Sequence, residues 1–150
     1  MQNQSPARLN LVGGLALLAL GLLAGSIMGA AHDIDGIREW LRWPPLRRNQ
    51  VMYAHGHLGL LGLVNVAIGF TIPFTSLSER WRRAVSWTAL AGGLLVPAGM
   101  LLALLPEPWN NLVYAQAGGF ALSIFATVTT AWAARAPASM DTTVGTEGEL

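Results

Sequence analysis

From Ala84 to Ala134 the chain carries a single charged residue, Glu107, set between Pro106 and Pro108. Leu9 to Ala31 carries none, and Asn49 to Ser78 carries none apart from two histidines, His55 and His57. A helix that crosses the hydrocarbon core of a bilayer needs roughly 20 such residues. The runs therefore hold spans at about 8–31, 50–74, 84–105 and 109–134. The expected fold is all-α: an integral membrane four-helix bundle forming one domain over residues 1–134. Residues 135–150, "RAPASMDTTVGTEGEL" from Arg135, read as a disordered polar tail. The first span is too long, and too weakly basic at its flanks, for a cleaved signal peptide, so it reads as an anchor.

Composition agrees. Apolar residues make up 53% of the chain and charged residues 11%, against roughly a quarter charged in soluble domains. A net charge of +1 points to no nucleic acid and no acidic partner. The absence of cysteine excludes disulfides, thiolate metal sites and thiol catalysis. No carboxylate pair lies at membrane depth for acid–base work, and no Gly-rich phosphate loop follows a strand. The tryptophans at 40, 43, 81, 87, 109 and 132 all lie near predicted span ends, as an interfacial belt requires.

Four spans place both termini on one side, with Arg8, Arg80, Arg82, Arg83 and Arg135. The 32–49 connection carries Arg38, Arg42, Arg47 and Arg48. This small excess favours cytoplasmic termini in a multi-pass protein of a bacterial inner membrane. The segment "IREWLRW" reads as a short interfacial helix ahead of Pro44 and Pro45.

The second span carries the chemistry. Residues on a helix turn by about 100°, so His55 and His57 point about 200° apart and cannot share one ion. The face of His55 continues through Gly59, Gly62, Val66, Gly69 and Pro73, a lane of small residues. The face of His57 holds Tyr53, Leu60, Val64 and Ile68, which are bulky. Two readings of the lane stand side by side. Glycines let helices pack closely in a membrane. Equally, a wide planar group can lie on such a wall with His55 as its axial metal ligand, and haem suits that arrangement. Polar groups at this depth are functional candidates by default.

The same membrane half collects His32, Met100, Asn110, Asn111, Tyr114 and Gln116. Met100 reads as core rather than as a sulfur ligand. The opposite half has Asn65, Thr71, Ser86, Thr88, Ser123, Thr127, Thr129 and Thr130. The serine and threonine hydroxyls can bond their own helix backbone, and this half reads as structural.

Ala54-His55, a glycine-bearing apolar run, and Pro73 eighteen residues after the histidine resemble the second transmembrane helix of styrene oxide isomerases. Total length, the long first connection and the basic second connection are also similar to that family. The resemblance implies haem b on His55, a homo-oligomer, a trimer in that family, and a small apolar substrate. It implies an isomerase in which ferric iron acts as a Lewis acid on an epoxide and an aldehyde results. The cofactor-binding set would be His55, His57, Gly59 and Gly62, with His57 orienting a propionate or packing against a neighbouring helix. Tyr114 and Tyr53 would be the catalytic candidates for polarising the substrate. The family's Asn six residues after the ligand is Leu61 here, and its third-helix Tyr falls near Met100. The stretch "AHGHLGLLG" is also similar to the histidine helices of haem–copper oxidase subunit I, in which two such histidines can face two haems. Two alternatives stay open beside the isomerase. One is a haem-binding electron-transfer or sensor subunit; the other is a non-haem helical scaffold or carrier.

Overall fold

The computed structural model describes residues 5–30, 39, 44–106 and 114–135. Four helices organise them: α1 (Pro6–Ala30), α2 (Pro45–Thr71), α3 (Glu79–Leu102) and α4 (Ala115–Arg135). Each is long and apolar enough to cross a membrane, so the expected all-α four-helix membrane bundle is the observed fold. His32, Asn110 and Asn111, the interfacial segment except for Glu39, and the tail beyond Arg135 lie outside the described residues.

The observed ends differ from the expected ones in an instructive way. α2 starts at Pro45 and α3 at Glu79, each about five residues before its apolar run. A helix does not stop where the hydrocarbon stops. Arg47 and Arg48 prolong α2, and Glu79, Arg80, Arg82 and Arg83 prolong α3, into a region where charge is tolerated. Local chemistry fixes each start. Pro44 precedes α2 with extended backbone (φ −50°, ψ 141°), and Pro45 occupies the first turn, where its missing N–H is no loss. Ser78 precedes α3 in extended conformation, and Glu79 brings negative charge to the first turn. At its other end α2 tightens into a 3₁₀ turn over Ile72–Phe74, which contains Pro73.

Successive helices run antiparallel. α1 packs chiefly on α2, α4 chiefly on α3, and the α2–α3 contact joins the two pairs. Lipid offers no hydrophobic force to press helices together, so close backbone approach and hydrogen bonds must hold them. The glycines show how close the approach is. A Cβ on Gly14 would lie 2.7 Å from the Gly62 carbonyl oxygen, and one on Gly62 would lie 2.7 Å from the Leu18 nitrogen. The α3–α4 seam repeats this: a Cβ on Gly99 would lie 2.6 Å from the Gln116 nitrogen.

Two apolar clusters fill the interior. Ile68, Ile72, Val85, Ala89 and Ala126 lie toward the termini. Ala54, Leu61, Val96 and Met100, with Phe120 against them, lie toward the 32–49 side. Met100 is thus core, as expected. Between helices, Asn65 of α2 donates to the carbonyl of Ala89 on α3 at 3.2 Å as well as to that of Leu61 on its own helix at 2.9 Å. Thr71, Thr88, Thr127 and Thr130 each donate to the carbonyl four residues earlier, the structural role expected of them.

Candidate functional site

α2 delivers its two imidazoles to opposite sides of the bundle. His55 turns toward α1 and His57 toward α4. The 200° separation read from the sequence is borne out in the packing.

His57 is fixed by two contacts. Its Nδ1 lies 2.7 Å from the Tyr53 carbonyl oxygen. A carbonyl only accepts, so Nδ1 carries the proton and donates, and in the neutral ring Nε2 keeps the lone pair. Its ring stands edge-on to Phe120, with centroids 5.4 Å apart and planes at 78°. This is an aromatic packing role on the filled face of α2.

His55 is held differently. It is half-buried, and its Nδ1 is enclosed with no hydrogen-bond partner among the described residues. Buried polar atoms are nearly always paired, so an orphaned ring nitrogen calls for a reason. The opposite ring edge faces α1: a Cβ added to Gly25 would lie 3.3 Å from Cδ2 and 3.5 Å from Nε2. Beside this edge runs a groove of about 440 Å³ lined by Gly21, Leu22, Gly25, Ser26, His55, Gly56 and Gly59. Four of these seven are glycines, so the walls are mostly backbone. Among the described residues, a Cβ at Gly56 or Gly59 would meet no atom within 4 Å.

The expected lane along α2 is therefore divided. Gly59 belongs to the groove. Gly62 does not, because α1 lies directly on it; Gly69 is likewise covered by Leu11 and Ala7. Close packing covers the lane at Gly62 and Gly69, whereas at Gly59 the backbone meets Gly21 and the position also borders the groove. Tyr53 and Tyr114, the expected polarising groups, are 56% and 75% exposed, and neither lines the groove. Gln116 packs its backbone and Cβ on Gly99.

The sequence reading missed the contribution of α1. Gly21, Leu22, Gly25 and Ser26 make one wall of the groove, and Ser26 brings its only hydroxyl among the described residues. That hydroxyl donates to its own helix at the Leu22 carbonyl, 2.9 Å away. A signal existed in the four-residue spacing of Gly21, Gly25 and Gly29. Asn10 was also missed; it is fully buried and bridges α1 to α3.

The groove thus joins mostly backbone walls to one imidazole, the only metal-ligating ring among its described lining. Among the described residues no group of three or more His, Cys, Asp or Glu gathers to build a protein-only metal cage. A lone axial imidazole is what this site can offer a metal. No family model matches the chain, and no curated protein or solved structure does either.

Proposed function

We propose that the groove between α1 and α2 seats haem b with His55 as its one protein ligand. On this reading the chain is a membrane-embedded isomerase for a small apolar epoxide. The carrying observation is His55: a half-buried imidazole whose Nδ1 has no partner among the described residues and whose Cδ2–Nε2 edge lies beside Gly25 at a glycine-walled groove. Haem bound there supplies an electrophilic iron, the Lewis acid that epoxide opening to an aldehyde requires.

The chain's own residues would do the rest. Gly25, Gly56 and Gly59 leave room for a ring at the wall, and Gly21 lets α1 close on α2 beside it. Leu22 gives an apolar flank that excludes water. Ser26 offers one hydroxyl that can turn from Leu22 toward a substrate oxygen. His57, on the far side of α2, packs edge-on against Phe120 and contributes to the α2–α4 contact rather than to the groove. A homo-oligomer, a trimer by the family resemblance, and cytoplasmic termini in a bacterial inner membrane belong to the same proposal.

A non-haem helical scaffold is the second reading, favoured by the close Gly14–Gly62 approach that takes over the lower lane. Turnover separates the two. Detergent-purified protein reconstituted with hemin is given an aryl epoxide, and products are resolved by chromatography. The isomerase reading expects the aldehyde, formed without added reductant, and none from His55→Ala. Recovery of epoxide and its spontaneous hydrolysis product alone leaves the scaffold reading.

A further inference from the structure

Gly21, Gly25 and Gly29 recur at the spacing of a helix face, yet their surroundings differ. A Cβ on Gly21 would meet backbone, the Gly59 nitrogen at 2.8 Å and the His55 carbonyl oxygen at 3.2 Å. Gly21 is therefore part of the α1–α2 seam. A Cβ on Gly29 would meet nothing within 4 Å among the described residues. Gly25 lies between these extremes: its neighbours are the His55 ring atoms Cδ2 and Nε2, at 3.3 and 3.5 Å. Here the missing side chain spares an imidazole edge rather than a backbone.

We infer that Gly25 is a window onto His55: the absence of a side chain at position 25 keeps Nε2 open to the groove, and side-chain size there sets what reaches it. This deepens the reading of the groove as a ligand site and rests on it, but concerns access to one nitrogen whatever the ligand. Alanine would sit against the ring edge, tighter than ordinary contact. A longer side chain has two options, to lie across Nε2 or to push the ring aside, and both close the approach. The nearby groove glycines 56 and 59 are on α2 itself and cannot substitute, since a Cβ on either reaches no neighbour among the described residues. His57 points to the other side of the bundle and should be indifferent to position 25.

The test compares wild type, Gly25→Ala, Gly25→Leu and Gly29→Leu in detergent, each checked by thermal melting. The first readout needs no haem. Diethyl pyrocarbonate modifies unprotonated imidazole, and mass spectrometry reports His55 and His57 separately. The expected result is a drop of about fivefold or more at His55 in Gly25→Leu, a smaller drop in Gly25→Ala, and no change in Gly29→Leu. His57 reactivity stays constant throughout. The second readout is hemin titration, in which affinity should fall in the same order. Equal modification of His55 in wild type and Gly25→Leu, or a wild-type His55 that does not react at all, overturns the inference. If wild type binds no hemin while the modification pattern holds, the window stands and the haem reading falls. Gly25→Ala keeps the comparison decisive if Gly25→Leu does not fold.

Discussion

The amide of Asn10 on α1 donates across 2.6 Å to the hydroxyl of Ser86 on α3, and neither side chain retains any exposure. Ser86 in turn donates to the Pro6 carbonyl at 3.3 Å, tying the first turn of α1 to α3. Interhelical hydrogen bonds in membranes contribute roughly 0.6 kcal/mol on average and up to about 1.7 kcal/mol. Ser86→Ala should therefore cost about 1 kcal/mol in a detergent-unfolding titration. Asn10→Ala combined with Ser86→Ala should cost less than the sum of the two alone, because one bond is lost once. Strict additivity would show that the pair does not couple.

The helix seam gives a sharper contrast. Gly62→Ala forces a Cβ against the Leu18 nitrogen and the Gly14 carbonyl, where only backbone movement can relieve it. It should destabilise by about 1–3 kcal/mol. Gly56→Ala, one to two turns away on the same helix with open space around it, should be neutral or stabilising by up to about 1 kcal/mol, because alanine is the better helix former. Thermal melting of the two variants beside wild type reads the difference. Equal effects would mean that α1 does not lie where the structure puts it.

The two histidines should separate stability from binding. His57→Ala removes the edge-on contact with Phe120, worth about 0.5–1.5 kcal/mol, and should lower melting while leaving hemin affinity within about threefold. His55→Ala should leave melting close to wild type and reduce hemin affinity by about tenfold or more, a change of roughly 1.4 kcal/mol in binding. Isothermal titration with melting curves on the same samples measures both quantities.

Hydroxyl placement gives a fourth expectation. Ser26 lines the groove, whereas Tyr53 and Tyr114 face outward. Ser26→Ala should cut epoxide turnover by about tenfold with stability changed by less than about 0.5 kcal/mol. Tyr53→Phe and Tyr114→Phe should each leave turnover near wild type. A loss of turnover with Tyr114→Phe alone would bring that side chain to the site and displace Ser26 from the role.

Much of the fold was legible in the sequence, because an uncharged run of span length has few places to go. Helix ends were less so: arginines and Glu79 that mark the membrane surface also extend helices beyond it. The divergence of His55 and His57 followed from helix geometry alone. What covers each face did not, because periodicity places Gly59 and Gly62 on one lane without saying where α1 crosses it. In the structure α1 lies against α2 at both; Gly62 is covered by Gly14 and Leu18, whereas Gly59 meets Gly21 through its backbone and also borders the groove beside His55. The wall contributed by Gly25 and Ser26 was unreadable for the same reason. The four-residue spacing of Gly21, Gly25 and Gly29 marks a face of α1, but only the packing shows that Gly25 meets an imidazole.

The most direct measurement is an absorption spectrum of the detergent-purified protein after hemin addition and removal of excess, with wild type beside His55→Ala and His57→Ala. Haem held by His55 predicts a Soret band in wild type and His57→Ala that is lost or strongly weakened in His55→Ala. Spectra indistinguishable among all three, or no retained haem in wild type, would contradict it.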